Sequence, residues 1–492
     1  MALDGRGPAR VPRRLLAFVG TPLWWARLGV AASFAFLVAV WVSRPWVVGD
    51  TPFVLDGTNA FIDCLASRDL VACRLSEQLN YWGLTSPIGD WPLLQHVPDL
   101  ISVELGATSH PARTRILALL SAAGVVGAVA LARAVLSRVG QPAWFWGFLF
   151  IVLSGPFLFY GTTTAGEALA TGLLVCLVAA TVLQAPPPVV GLAALAASLT
   201  KETAYPFVAV LGILGLLLAR QRTGRPVRRQ LSWGVAGIAV AFILASLFNV
   251  VRFGSILNTN YLEPELHTPG LIRPLEYAVA LAVSPNGGMA VYWPAASVVL
   301  LTACLLPLLP AGRRLDLWPA LALIGVVVAL TLGFASWWDP FGSGYGPRLA
   351  LPWVLPLVVI GLVAYGESLG ELAARLLAPM WRLLLIFAVV LAFALPHMGH
   401  MWQPEATGKF FQGETPPCDA PWRGGVAEWH ACQHERLWFD RRPIPLYSLR
   451  GVGTMGGAVT SMAVALALFG CLLLLREELR RRVPDEVPVT IP

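Results

Sequence analysis

Long apolar runs broken by short polar stretches dominate the chain from end to end. Stretches of about 18 or more apolar residues recur, each long enough to cross a bilayer as a helix. Twelve spans are predicted, at about 28–46, 114–135, 143–161, 166–184, 188–200, 204–220, 231–250, 289–309, 317–335, 349–365, 382–398 and 454–475. The fifth is the shortest. The expected fold is an all-α polytopic membrane protein of about 12 transmembrane helices. It has a basic N-terminus over 1–27, one membrane domain over 28–475 and a tail over 476–492. The N-terminus carries Arg6, Arg10, Arg13, Arg14 and Arg27, and no small-residue cleavage site follows the first run, so no removable signal is expected. No internal repeat stands out.

Composition agrees: 57% of residues are hydrophobic and only 13% charged, where a soluble chain carries about a quarter. The arginines then orient the spans. With the N-terminus inside, Arg133 and Arg138, Arg220 to Arg229, Arg313 and Arg314, Arg375 and Arg382, and Arg476 to Arg482 all fall on the cytoplasmic side. Only the Pro186–Pro188 turn is neutral. The net charge of +7 therefore reports topology, and nucleic acid is not an expected partner. The expected location is the cytoplasmic (inner) membrane, multi-pass, with both termini cytoplasmic.

The acids lie mostly in the opposite loops, which are also the long ones, about 47–113, 251–288 and 399–453. Function is expected there. Pro92–Leu105 has apolar residues at helical spacing and predicts a helix lying along the membrane. Cys64 and Cys73 share the first of these loops, and Cys418 and Cys432 the last, which predicts two disulfides on an oxidising face. His430 and His434 flank Cys432, so a metal is the alternative there. Cys176, Cys304 and Cys471 fall within spans as small apolar fillers. The last loop reads as a lid, an acceptor-side element or a structural plug.

Ionisable residues gather at the outer ends of the spans: Asp50, Asp56, Glu167, Lys201, Glu202, Arg252, Asp339 and Arg348. Singly, each is an interfacial charge that snorkels to water; together they point to one site. Asp50 is a candidate general base toward a hydroxyl arriving from water. Asp56 is its rival, although a cap on a helix starting near Thr58 suits Asp56 better. Lys201 is one of only two lysines, and a compact ammonium suits a phosphate. Arg252 and Arg348 supply forks for phosphate oxygens. Arg348 closes the stretch Ser336–Pro352, "SWWDPFGSGYGPRLALP", where Pro340 and Pro347 stiffen the turn and the glycines admit a ligand close to the backbone. Trp337 and Trp338 serve as interfacial anchors or stack on a sugar or an isoprenoid. Ser284–Trp293 reads as a turn opening a span.

The order of these stretches resembles the GT-C superfamily of integral-membrane glycosyltransferases, of the family 39-like type that includes protein O-mannosyltransferases and aminoarabinose transferases. The resemblance covers roughly residues 28–400. It rests on "VVGDTPF", "SPIGDWPLLQHVPDLISVELG", "LSGPFLFYGTTTAGEALA", "LAALAASLTKETAYP", "FNVVRFGS" and "WWDPFGSGYGPRLALP". Two departures stand out. Asp50 is followed by Thr51 where relatives have an Asp-Glu pair, and "DWPLL" replaces a Tyr-Pro-Pro-Leu stretch.

The resemblance implies an inverting hexosyl- or pentosyltransferase that takes a sugar from a polyprenyl-phosphate carrier on the outer membrane face. The acceptor is a cell-envelope glycan, a lipid or a protein. Asp50 or Asp56 would be the base, and Lys201, Arg252 and Arg348 the phosphate ligands. Glu167, Glu202, Trp337, Trp338, Asp339 and Tyr345 would face substrate. No cofactor is required, though Asp50 with Asp339 has the oxygen ligands for a divalent metal. Two alternatives remain. One is a polymerase or ligase using a diphosphate-linked donor, kept open by Arg423, Arg436, Arg441 and Arg442. The other is a lipid or solute transporter, which one-sided charges and the lack of a repeat argue against.

Overall fold

The computed structural model describes residues 22–43, 51–68, 79–80, 83–84, 88, 91–161, 166–201, 204–258, 267–268, 270–284, 287–308, 315–337, 348–377, 380–394, 431 and 455–481. Apart from a two-residue antiparallel ladder, Leu79–Asn80 with Gly83–Leu84, the regular structure described is helical. Among the described residues seven helices are long and apolar enough to cross a membrane and five shorter ones are apolar. They match the twelve expected stretches one for one.

Two expected spans are broken. The third runs as Trp144–Leu153 and resumes as a single turn, Phe157–Tyr160, because Pro156 has no N–H to continue the ladder. The eighth divides into Met289–Tyr292 and Pro294–Leu305 at Trp293 and Pro294. The two breaks face each other. The indole of Trp293, fully buried, donates from Nε1 to Ile151 O at 2.7 Å, satisfying a carbonyl of the helix's last turn. Gly155 admits that ring: a Cβ there would lie 2.2 Å from Trp293 Nε1.

The helices that carry the site are held by small residues at close approach. Helix α1 (His110–Arg138) meets α2 (Glu167–Val182) at Gly124 and Gly172, where a Cβ on Gly172 would lie 2.6 Å from Gly124 O. Helix α3 (Pro187–Ser198) meets α4 (Arg228–Phe253) at Gly191 and Gly237, where a Cβ on Gly237 would lie 2.1 Å from Gly191 O. Lipid gives apolar side chains no drive to associate, so such backbone-to-backbone packing fixes helix position. Helix α5 (Leu351–Leu377) is the central one: 83% of its apolar window is buried, against 22% for the first span.

Contacts sort the two ends of the bundle. At one end Arg27 pairs with Glu478 at 3.4 Å and Trp146 donates to the same carboxylate at 3.0 Å. Trp144 donates to Gly366 O at 2.6 Å and Tyr365 to Asp316 O at 2.7 Å. Arg222 reaches both Val139 O and Val363 O. Residues near 27, 140, 222, 316, 365 and 478 therefore share one layer. This is the layer to which the arginine pattern assigned them.

Candidate functional site

The opposite end is organised by two helices of the first long loop, α6 (Thr51–Ser67) and α7 (Leu93–Glu104). Helix α7 has 12 residues and an inverted amphipathic pattern. Its polar face, His96, Asp99 and Ser102, is buried, while Ile101 and Leu105 are 54% and 81% exposed. A polar stripe turned inward in a bilayer-embedded protein calls for specific partners; Asp99, Ser102 and His96 Nδ1 find them, while His96 Nε2 is buried without one.

Asp99 takes Arg113, from the first turn of α1, in a bidentate pair: Nε to Oδ1 at 2.8 Å and Nη2 to Oδ2 at 2.5 Å. Both side chains are almost fully buried. The remaining Arg113 donors reach α6, at Asn59 Oδ1 (2.8 Å) and Leu55 O (2.9 Å). Ser102 donates back to the Asp99 carbonyl at 2.7 Å. One guanidinium thus joins three helices.

His96 lies 3.1 Å from Thr58 Oγ1 through Nδ1. Thr58 commits its proton to Val54 O at 2.8 Å, so the contact assigns the hydrogen to Nδ1 and the lone pair to Nε2. Burial, then the positive charge of Arg252, push the imidazole pKa down to about 3, so it is neutral. Gly57 makes room: a Cβ there would lie 3.1 Å from the His96 ring and 2.2 Å from Ile88 O.

Arg252 sits in the last turn of α4 with no exposed surface. It donates to Asn249 Oδ1 at 3.0 and 2.6 Å and to Trp91 O at 2.7 Å. Its guanidinium stacks over Phe248 and Phe253, at 4.5 and 4.6 Å from the ring centroids. It was expected as a phosphate ligand. The structure makes it a clamp on the approach to α7, because these donors are already committed to protein and its surface is closed to water.

Glu167 opens α2 and is buried, and Arg348 Nε donates to its Oε1 at 2.6 Å. Two expected site residues 181 positions apart are thereby brought together. Glu167 Oε2 is also buried and accepts no hydrogen bond. A small cleft beneath α7 is lined by Leu94, Gln95, Pro98, Gly166, Leu169 and Thr200 among others, with neither Glu167 nor Arg348 in its wall. Gly166 and Thr200 immediately precede Glu167 and the half-buried Lys201. The stretch holding Arg348 is tied at its other end as well. Thr268 N donates to Ser336 O at 2.8 Å, and its hydroxyl contacts Ala335 O and Trp337 O, each at 3.0 Å.

Some expectations change. Asp56 lies inside α6 and is exposed, since that helix begins at Thr51 rather than near Thr58. It therefore caps nothing. Trp337 is half-buried and bridges to His267. Cys64 is disulfide-bonded. Asp50, Cys73, Glu202, Trp338, Asp339, Tyr345, Cys418 and Cys432 lie outside the described residues. Among the described residues no cluster of His, Cys, Asp and Glu is arranged to hold a metal ion. Asp99, Arg113 and His96 were not singled out from sequence. Their signal was the spacing of His96, Asp99 and Ser102 along one face of an otherwise apolar helix.

No family model matches the chain, and no curated protein matches it. Among solved structures it is similar to ArnT from Cupriavidus metallidurans. The apo crystal structure shares 16% identity and a TM-score of 0.46, over 95% of this chain and 81% of that one. The structure of the same protein bound to undecaprenyl phosphate gives the same identity and TM-score, over 96% and 82%. At this distance the likeness concerns the arrangement of helices and assigns no activity.

Proposed function

We propose that the chain is a membrane glycosyltransferase that moves a sugar from a polyprenyl-phosphate carrier to an acceptor on the outer face of the cytoplasmic membrane. The observation that carries this reading is the buried Glu167–Arg348 pair, next in sequence to Gly166 in the wall of the cleft under α7, at the end of the bundle opposite the arginine-rich layer. A carboxylate, a guanidinium and the ammonium of Lys201 beside an apolar cleft suit a ligand with an anionic head and a hydrocarbon tail. The disulfide at Cys64 supports placing this end in an oxidising compartment.

In this reading the acceptor hydroxyl attacks the anomeric carbon as the carbon–phosphate oxygen bond breaks. The hydroxyl proton passes to a carboxylate, for which Asp50 is our choice and Asp56 the rival. The polyprenyl phosphate departs with the bonding electrons, its charge stabilised by Arg348 and Lys201, and the configuration inverts. Arg252 acts as a positioning residue through Trp91 and α7.

The test is transfer of radiolabelled sugar from polyprenyl-phosphate donors in membranes. Asp50→Asn should lower transfer by roughly 10²–10⁴-fold at normal protein level, the usual worth of a general base. Arg348→Ala should also lower it. Unchanged transfer in Asp50→Asn would move the base elsewhere, and no transfer by the wild type from any donor would overturn the reading.

A further inference from the structure

Five arginines stand in ten consecutive positions where the helix Tyr205–Thr223 turns into α4: Arg220, Arg222, Arg225, Arg228 and Arg229, with no acid among them. Arg222 is committed to structure, donating to Val139 O and Val363 O. The other four are exposed, and among the described residues their side chains have no ion-pair or hydrogen-bond partner. The acid that touches this stretch, Asp316, takes its hydrogen bond from Gln221. Nor do Arg228 and Arg229 serve their own helix. They open α4, whose first turn holds no acid, and the helix dipole disfavours cations there. Directly beyond them lies an apolar surface. Trp233, one turn along α4 from Arg229, is 49% exposed, with its ring against Gly191 of α3, where a Cβ would lie 3.2 Å away. Leu192 of α3 and Val235 and Val240 of α4 are exposed as well.

We infer that this corner of the bundle, at the arginine-rich end of α3 and α4, binds an anionic glycerophospholipid of the adjoining leaflet. Its phosphate takes Arg228 and Arg229, with Arg220 and Arg225 adding to the local positive charge. Its glycerol backbone lies at Trp233, and its chains run over the exposed side of α3 and α4. Charge complementarity selects the occupant. Guanidinium forks match phosphodiester oxygens, basic clusters beside a membrane span attract anionic headgroups, and tryptophan favours the level between headgroups and chains. A phosphate free in solution would leave the apolar flank unused. The site lies at the end of the bundle opposite Glu167 and Arg348 and is independent of the glycosyl-transfer reading. A topological role alone accounts for positive charge in the loop, yet it requires no bound lipid. The two separate in detergent, where the protein has no inside or outside.

The experiment is native mass spectrometry of the full chain, purified in a neutral detergent and titrated with dioleoylphosphatidylglycerol or dioleoylphosphatidylcholine. The two lipids share their chains and differ in headgroup charge. The wild type should carry phosphatidylglycerol in preference to phosphatidylcholine. The double variant Arg228→Gln, Arg229→Gln should lower that preference by about fivefold per arginine, roughly 25-fold for the pair, the usual contribution of a basic side chain at an anionic surface. Arg480→Gln with Arg481→Gln removes the same charge from exposed residues at the same end and should leave the preference unchanged. Equal binding of the two lipids by the wild type overturns the proposal. A preference that survives Arg228→Gln, Arg229→Gln overturns it too, since those arginines would then have a topological role only. So does a preference that falls equally in Arg480→Gln, Arg481→Gln, which would make the attraction a property of net charge. Displacement of the lipid by an equal concentration of soluble glycerophosphoglycerol would overturn the lipid as the occupant.

Discussion

Asp99→Ala isolates the contact that seats α7. Asp99 has no exposed surface and its partner Arg113 almost none. The substitution removes two N–H···O contacts of 2.8 and 2.5 Å and leaves a buried guanidinium with only neutral acceptors, Asn59 Oδ1 and Leu55 O. Breaking a buried pair from one side costs about 3–5 kcal/mol. The retained neutral contacts place this case at the lower end, about 3 kcal/mol. That is roughly a hundredfold in an opening equilibrium. The loss should be local, because α1 and α2 are held together independently by Gly124 and Gly172. Amide hydrogen exchange in lipid nanodiscs should therefore show protection of residues 93–104 falling about a hundredfold, with residues 124–182 unchanged. The double variant Asp99→Leu, Arg113→Met should recover most of the protection, since an apolar pair of similar volume replaces a buried ion pair at little cost. Protection of α7 that survives Asp99→Ala, or that falls equally across the bundle, would refute the seating argument.

Two further outcomes are expected. His96 is held at a pKa of about 3 by burial and Arg252, against about 6.5 when α7 is open. The open state therefore binds the extra proton, and the stabilising contribution is full above pH 6.5 and declines as pH falls toward 3. Between pH 6.5 and 5 this should weaken α7 by roughly 1.5 kcal/mol, and exchange measured against pH should lose that slope in His96→Leu; an identical slope counts against the assignment. Gly237→Val should lower the detergent melting temperature, because its Cβ would meet Gly191 O at 2.1 Å and overpacking costs about 1–3 kcal/mol. Gly325→Ala, with open space around it, should melt as the wild type or slightly above, and equal melting of Gly237→Val would contradict the close crossing.

The membrane spans were readable because the bilayer imposes one length on every crossing segment, and length is a one-dimensional property. The sorting of the ends was readable for the same reason: arginines mark alternate loops, and Arg27, Arg222 and their neighbours meet in one layer. Breaks within spans were partly readable. Pro156 and Pro294 were visible, but the pairing of one break with the other through Trp293 depends on which helices are neighbours. The ionisable residues near the span ends were visible in the sequence. Their division of labour was not, since pairing is decided in three dimensions. Glu167 and Arg348 meet across 181 residues, whereas Arg252, chemically equivalent to Arg348 in the sequence, is closed off by Asn249, Trp91 and two rings.

That difference between two arginines explains how the site is positioned. Helix α7 lines the cleft, and its most buried residues within the helix, His96, Asp99 and Ser102, are polar, so the apolar packing of Leu93 and Leu94 is not all that fixes its rotation. Three polar anchors from three other helices also do so: Thr58 from α6, Arg113 from α1 and Arg252 from α4 through Trp91. Hydrogen bonds are directional and strong at low dielectric, so each anchor sets both depth and angle. Gln95 and Leu94, which line the cleft, directly precede His96 in the same helix and take their position from it. A substitution at Arg252 or Asp99 should thus alter the cleft without removing any group that faces it.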